Sequence, residues 1–201
     1  QVQKLKFHGK GHQSKFCVGT RNQKLRKTQG MLAKSFSTLK SVNLKISDLS
    51  EIGNVFAEYI ENSDLLLLSG KVGAGKTEFA RLIIKAKAKK ENLDIEEIAS
   101  PTFSLIQNYD FEHCKISHID LYRVNGELEL FELGIPDIFD SQITLLEWPE
   151  ILDTKSFSRY VCIKIKEVKK LKEARDIKIE FFGNMWGDLI RALLGCGHFK
   201  N

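Results

Sequence analysis

A run of leucines leads directly into a glycine-rich segment that ends in lysine and threonine. Residues 65–69 read LLLLS, and residues 70–77 read GKVGAGKT. Glycines have no Cβ, so the backbone can curl and direct successive N–H groups at one phosphate. The Lys76 ammonium of such a loop reaches the β- and γ-phosphates, and the Thr77 hydroxyl is placed to bind Mg²⁺. The spacing predicts a nucleotide-binding loop made of Gly70, Lys71, Val72, Gly73, Ala74, Gly75, Lys76 and Thr77.

The segment after the loop has the pattern of a helix. Apolar residues recur at helical spacing within residues 78–90, at Phe79, Leu82, Ile83 and Ala86. A helix that starts directly after the loop directs its N-terminus at the phosphates, where free N–H groups and the helix dipole favour negative charge. Strand, loop and helix therefore follow in the order that a phosphate site requires.

Hydrolysis of ATP needs further groups, because the metal requires carboxylate support and a water must be oriented for in-line attack. Two acidic residues follow apolar runs: Asp120 in the string HIDLYR and Glu147 in the string ITLLEW. The carboxyl ends of strands in an open sheet face the ligand crevice, so we expect both carboxylates near Thr77. Lys76, Asp120 and Glu147 are therefore the candidate catalytic residues. Solvated acids at strand ends are the alternative for the two carboxylates.

Two more polar side chains lie close to these residues in sequence. Thr102 belongs to the string SPTF, which lies between the loop helix and the next strand, where a segment can respond to the γ-phosphate. A plain turn that contains one buried Phe103 is the alternative. His118 is two residues before Asp120 and shares its strand face, which permits a role behind the carboxylates. A structural histidine is the alternative.

Strand and helix patterns alternate along residues 42–194. We predict strands at residues 42–46, 65–69, 105–111, 116–122, 143–148, 160–166 and 177–182. Helices are predicted from a cap at Asp48 or Ser50 to residue 62, and at residues 78–90, 127–133 and 186–194. Interleaved elements favour a three-layer α/β domain of the P-loop NTPase type, and the hairpin-like pieces predict a mixed, mainly parallel sheet.

Basic residues are concentrated at the N-terminus. Residues 1–40 carry ten Lys or Arg and no acidic residue, whereas residues 42–201 carry 21 basic and 26 acidic residues. The net charge of +5 therefore combines an arm at +10 with a body at −5. We predict a basic, disordered arm at residues 1–40 and one P-loop ATPase domain at residues 41–201.

The origin of the arm is a separate question. Residues 1–30 contain no Met, and Met31 begins the segment that leads into the body, so we expect Met31 to be the natural start. Residues 1–30 would then be an upstream extension or a cloning remnant. A basic tail that contacts RNA phosphates and an organelle presequence at residues 31–41 are the alternatives.

Cysteine usage and hydropathy indicate the compartment. Cys17, Cys114, Cys162 and Cys196 are 97, 48 and 34 positions apart, with no C-x-x-C string, so reduced thiols are expected rather than a zinc site or disulfides. No apolar run approaches the length of about 18 residues that a membrane span needs. We therefore expect a soluble, cytoplasmic protein with no membrane partner.

Five strings occur in order along the chain: GKVGAGKT, SPTF, HIDLYR, ELGI and LLEWPE. They begin at positions 70, 100, 118, 132 and 145, and ARDI follows at position 174. Together they resemble the series found in the TsaE (YjeE) family, the ATPases required for threonylcarbamoyladenosine formation on tRNA. The resemblance covers residues 42–194 and leaves the basic arm outside.

The resemblance implies roles for individual residues. The glycine-rich loop would bind the phosphates of ATP, and Thr77 and Glu147 would be the ligands of Mg²⁺. Asp120 would be the acid that supports the metal or the attacking water. Thr102 would be a switch threonine that senses the γ-phosphate, and Trp148 would lie beside the nucleotide.

The resemblance also implies partners. Family members act as nucleotide-driven accessory subunits of the TsaD–TsaB complex, which transfers the threonylcarbamoyl group, and hydrolysis would reset that complex between turnovers. Contact with tRNA would be indirect, which suits the acidic body. Lys71, Val72 and Glu78 differ from the residues usual in the family, and we expect these differences to affect affinity or partner contacts.

Other classes of nucleotide-binding protein share this loop. A small-molecule P-loop kinase is the main alternative, but a kinase normally needs an arginine-rich lid, and the seven arginines of this chain are scattered. A GTPase is disfavoured because no N-K-x-D string is present. A nucleotide-binding scaffold without turnover stays open, because motifs do not set a rate.

Overall fold

The computed structural model describes Val2–Gln3 and residues 37–95, 97–169 and 171–199. Within this part of the chain the strands are β1 (Val2–Gln3), β2 (Ser37–Leu44), β3 (Leu65–Ser69), β4 (Ile106–Asp110), β5 (Lys115–Asp120), β6 (Ile143–Glu147), β7 (Tyr160–Val168) and β8 (Leu171–Phe182). The α-helices are α1 (Ile46–Tyr59), α2 (Lys76–Lys90), α3 (Glu127–Glu132), α4 (Ile135–Ser141) and α5 (Gly187–Gly195). No helix in the described residues is long and apolar enough to cross a bilayer.

One mixed sheet organises the fold, in the strand order β1-β4-β5-β6-β3-β7-β8-β2. Strands β5, β6, β3 and β7 run parallel in the middle, while β4, β8 and β2 join by antiparallel pairing. Buried apolar residues form a separate cluster on each face of the sheet. Helices therefore cover both faces, and the predicted three-layer α/β architecture is confirmed.

The central strands are apolar because both of their faces are buried. The four leucines of β3 are each at most 2% exposed, and they alternate between the two apolar clusters. Leu66 and Leu68 pack on the side of α1 and α2, whereas Leu65 and Leu67 pack on the other side. A continuous apolar run is the pattern expected of a parallel strand between two helical layers.

The first described strand of the body starts earlier than its sequence pattern indicates. Strand β2 begins at Ser37 instead of residue 42, and it pairs antiparallel with β8 from Ser37, opposite Phe181, to Leu44, opposite Arg175. Residues 37–40, which the charge pattern assigned to the arm, therefore form part of the sheet. Residues 4–36, including Met31, lie outside the described residues, so disorder of the arm and the domain boundary stay predictions.

Two helices differ from the prediction: one begins earlier than expected, and the other was not expected. Helix α1 begins at Ile46, ahead of the predicted caps at Asp48 and Ser50, because the Asp48 carboxylate accepts the Lys45 N–H at 2.8 Å from inside the first turn. Helix α4 was not predicted. It follows Gly134, whose φ of +67° ends the preceding helical segment, and it carries a proline in its first turn.

A buried ion pair fixes the sheet end opposite the glycine-rich loop. Asp64 precedes β3 and is 1% exposed, and its carboxylate lies 3.1 Å from the Arg159 guanidinium. Burial raises the pKa of Asp64 to about 6, although the Glu61 N–H and the Arg159 charge act in the opposite direction. The same guanidinium lies 3.9 Å from the centroid of the Trp186 ring. This contact attaches the segment before β7 and the start of α5 to the sheet.

Candidate nucleotide site

Three adjacent strands bring the predicted residues to one edge of the sheet. Strand β6 lies between β5 and β3, and Glu147 pairs in register with Asp120 on one side and with Leu68 on the other. Because neighbouring residues in a parallel register share a face, Asp120 and Glu147 face α2, the helix that follows the loop. Both acids therefore lie beside the glycine-rich loop, as expected of residues at the ends of adjacent parallel strands.

The loop between β3 and α2 has a backbone that larger residues cannot adopt. Gly70 and Gly75 have φ values of +149° and +101°. A Cβ on Gly70 would lie 2.4 Å from the Ile165 carbonyl oxygen, which leaves no room for a side chain. Helix α2 begins at Lys76, directly after Gly75. The first N–H groups of this helix have no partner within the helix, so they can receive a phosphate at the end of the loop.

Lys76 lies within the loop and is 5% exposed. Its ammonium donates to the carbonyl oxygens of Gly70 at 3.0 Å and Lys71 at 3.1 Å, and it lies 3.7 Å from the centroid of the Trp148 ring. Burial lowers the pKa of Lys76, and nearby carboxylates oppose this shift. A phosphate would offer oxygen acceptors in place of these carbonyls, so Lys76 is placed to exchange partners when a nucleotide binds.

Glu147 links the loop helix to a buried histidine. One carboxylate oxygen accepts the Thr77 hydroxyl at 3.0 Å, and the other lies 2.9 Å from Nε2 of His118, which is fully buried. A carboxylate only accepts, so His118 carries its proton on Nε2 in this contact. Nδ1 of His118 has no hydrogen-bond partner within the described residues. The histidine thus fixes the direction of the Glu147 carboxylate toward Thr77.

Asp120 connects strand β5 to the SPTF segment. One of its carboxylate oxygens accepts the Thr102 hydroxyl at 2.8 Å, and the other accepts the Tyr122 N–H at 2.8 Å. The Ser100 and Thr102 hydroxyl oxygens are 3.0 Å apart. Asp120 itself is only 2% exposed. The threonine that was predicted to be a switch and the candidate catalytic acid are therefore in direct contact, a link that the sequence did not predict.

An aromatic pair borders the site. Trp148 follows Glu147 and has a left-handed φ of +59°. Its ring centroid lies 4.9 Å from that of Tyr122, and the two planes are tilted by 47°. The Lys76 ammonium contacts the same indole. Trp148 therefore contacts the lysine of the loop, and its place beside a nucleotide stays a prediction.

The oxygens of Thr77 and Glu147 fit a magnesium ion. Mg²⁺ takes oxygen ligands at about 2.0–2.1 Å in octahedral geometry, so two adjacent ligands lie about 2.9 Å apart. The Thr77 hydroxyl and the Glu147 carboxylate oxygen are 3.0 Å apart. No cluster of three or more His, Cys, Asp or Glu side chains able to hold a metal occurs in the described ranges. Two protein ligands suit an ion that keeps several waters and binds substrate phosphates.

The remaining predicted residues divide into two groups. Ala74 is buried beneath the loop, whereas Lys71, Val72 and Gly73 are exposed. The side chains of Lys71 and Val72 therefore reach solvent, and their part in nucleotide binding rests on backbone groups. All these role assignments stay predictions.

Sequence reasoning assigned no role to Arg175, although the residue belongs to the ARDI string. Its Nε donates to the Ala74 carbonyl at 2.8 Å.

Residues 44–177 match the model of the family described as "Threonylcarbamoyl adenosine biosynthesis protein TsaE". This match includes the glycine-rich loop, both acids and the SPTF segment. The chain belongs to the TsaE family. The resemblance found in the sequence motifs is thereby confirmed.

Several curated TsaE proteins are similar to the chain. The protein named tRNA threonylcarbamoyladenosine biosynthesis protein TsaE of Rickettsia typhi is 33% identical over 135 residues, which cover 67% of the chain and 91% of the relative. The Bacillus subtilis protein of the same name is 30% identical over 165 residues, covering 81% and 98%. The crystal structure of Bacillus subtilis YdiB has the same fold, with a TM-score of 0.58 and 23% identity over 83% of the chain and 98% of YdiB.

Proposed function

We propose that this TsaE-family chain binds and hydrolyses Mg²⁺-ATP and acts as an accessory subunit in the formation of threonylcarbamoyladenosine on tRNA. The observation that supports it most strongly is the contact between Thr77 and Glu147 at the end of the glycine-rich loop. The names of the relatives give the pathway, and membership of the same family supports that pathway for this chain.

Each polar group of the site has a task in this proposal. The loop N–H groups and Lys76 bind the phosphates, and Thr77 and Glu147 hold the metal, which neutralises charge on the phosphates when bound. His118 keeps Glu147 in the direction that the metal requires. Asp120 supports the metal or orients the attacking water, and the two roles stay open.

The contact between Thr102 and Asp120 supports a switch role for the SPTF segment. The Thr102 hydroxyl donates to the Asp120 carboxylate. A γ-phosphate would compete for that hydroxyl, so the ATP and ADP states would differ at this segment. Such a difference is what allows a nucleotide to change the affinity for a partner.

Replacing Thr102 with alanine tests this switch. ATP affinity should change little, because the Thr102 hydroxyl gives up one anionic acceptor, the Asp120 carboxylate, when it bonds another, the γ-phosphate. Multiple-turnover formation of threonylcarbamoyladenosine should fall, because the exchange of ATP for ADP would no longer change the affinity of the chain for its partner. Thr102→Ser keeps the hydroxyl and is the matched control, which should retain activity. Full multiple-turnover activity of Thr102→Ala would contradict the switch role.

The proposed partner is the TsaD–TsaB complex. That complex binds the tRNA, so the contact of this chain with tRNA is indirect. The assay is threonylcarbamoyladenosine formation on tRNA with TsaD, TsaB and a supply of threonylcarbamoyl-adenylate, with and without the chain. Addition of the chain and ATP should raise the product over many turnovers. No increase, or phosphate transfer from ATP to a metabolite, would contradict the proposal and favour the kinase alternative. Location in the cytoplasm is part of the same proposal.

A further inference from the structure

The hairpin formed by β7 and β8 packs against the glycine-rich loop. A Cβ on Gly70 would meet the Ile165 carbonyl oxygen of β7 at 2.4 Å. Farther along the loop, a Cβ on Gly73 would lie 3.4 Å from a carboxylate oxygen of Glu167 on the same strand. One on Gly75 would lie 3.5 Å from Nε of Arg175 on β8. The hairpin therefore supports the outer side of the loop along much of its length.

Arg175 forms a hydrogen bond between the hairpin and the glycine-rich loop. Its Nε donates to the carbonyl oxygen of Ala74 at 2.8 Å, and one of its terminal nitrogens donates to the Ala174 carbonyl at 2.9 Å. The second bond attaches the planar guanidinium to its own strand. The first joins residues that are 101 positions apart in the chain. The guanidinium is thus a rigid link between β8 and the loop.

The strand that carries Arg175 is itself well fixed. Arg175 pairs with Glu167 of β7 on one side and with Leu44 of β2 on the other. The adjacent Asp176 carboxylate accepts the Asn43 N–H at 2.9 Å. The position of the guanidinium is therefore set by three paired strands and does not depend on the loop that it contacts.

Peptide geometry converts this contact into an orientation of the phosphate-binding groups. The described peptide bonds are all trans, so the carbonyl of Ala74 and the N–H of Gly75 point in opposite directions across one planar unit. When Arg175 holds the carbonyl outward, the Gly75 N–H must face the opposite side of the loop. Backbone N–H groups at that side of such loops bind the α- and β-phosphates.

We propose that Arg175 is a positioning residue of the nucleotide site, which fixes the Ala74–Gly75 peptide so that the Gly75 N–H is available to the β-phosphate. This inference rests on the proposed function, since it requires ATP or ADP in the loop. It differs from a direct contact between an arginine and the γ-phosphate, because the β-phosphate is present in both nucleotides. ATP and ADP affinities should therefore depend on Arg175 equally.

The test is calorimetric titration of the full chain and its Arg175→Gln variant with Mg²⁺-ATP and Mg²⁺-ADP. Both dissociation constants should rise by about tenfold, the loss expected for a charge-assisted hydrogen bond. The kcat at saturating ATP should change by less than about twofold, because the groups around the γ-phosphate are intact. Lys178→Gln is the matched control on the same strand, where Lys178 pairs with Glu180 at 2.7 Å, and both affinities should stay unchanged.

Two further measurements guard against misfolding as the cause. Arg175→Lys keeps the charge and a donor and should recover part of the lost affinity. Millimolar methylguanidinium should strengthen ADP binding to Arg175→Ala but not to the wild-type chain.

Equal affinities of wild type and Arg175→Gln for both nucleotides would overturn the inference. A loss confined to ATP or to kcat, with ADP binding intact, would overturn it as well and indicate contact with the γ-phosphate. Failure of the wild-type chain itself to bind either nucleotide would instead contradict the proposed function, on which the inference rests.

Discussion

Lys76→Ala should weaken ATP binding by roughly 1.5–3 kcal/mol, which is about tenfold or more. The ammonium lies inside the loop, held by two carbonyl oxygens and the Trp148 ring, and it is almost fully buried. Phosphate oxygens that replace those carbonyls would bond a fully charged ammonium in a site largely shielded from water. Alanine removes this charge, while the backbone N–H donors of the loop and the other groups of the site stay in place.

Calorimetric titration with ATP measures this loss directly. Lys85→Ala is a suitable control, because Lys85 lies on the same helix but its side chain is exposed. The control should bind ATP as the wild type does. If Lys76→Ala binds ATP with wild-type affinity, the glycine-rich loop is not the nucleotide site.

A second large effect is expected at the two buried acids. Glu147→Gln keeps the size of the side chain, and its amide oxygen can accept from His118 while its amide nitrogen donates to the Thr77 hydroxyl, but it removes the charge that attracts Mg²⁺. Asp120→Asn similarly removes the charge that supports the metal or the water. Each substitution should lower the steady-state rate of ATP hydrolysis by about 100-fold or more, and ATP affinity much less.

The control for these variants removes a charge close to the site but outside it. Glu150 is exposed in the short helical turn Pro149–Ile151 after Trp148, so Glu150→Gln should retain most of the hydrolysis rate. Rates are compared over a range of Mg²⁺ concentrations. Full magnesium-dependent hydrolysis by both Glu147→Gln and Asp120→Asn would show that the site is misplaced.

The features that the sequence predicted well are local in the chain. Strand β3, the glycine loop and helix α2 follow one another without interruption, so hydrophobic pattern and glycine spacing identify them together. The positions of Asp120 and Glu147 required only the rule that parallel strands end at the same sheet edge. Each prediction depended on short-range pattern or on a general property of α/β sheets.

The features that were missed depend on contacts between distant segments. Helix α4 is only seven residues long and has one buried residue, so its apolar periodicity is weak. The early start of β2 comes from pairing with β8, which is far away in the sequence. Nothing local to the loop indicates that Arg175 would contact Ala74. A role of His118 behind the carboxylates was one of two interpretations of the sequence, but its bond to Glu147 depends on strand register. Such pairings follow from the assembled sheet, so one sequence does not reveal them.

The chain has two tryptophans, and a cation lies against each ring. Arg159 stays over Trp186 because the buried Asp64 holds it at the opposite end of the sheet. If Lys76 exchanges its present contacts for a phosphate, as proposed, the cation over Trp148 would move, whereas the cation over Trp186 would stay in place. The intrinsic fluorescence of the protein thus has two separable sources. Under the proposed function, Trp148 would report occupancy of the loop, and Trp186 would serve as an internal reference that needs no added dye.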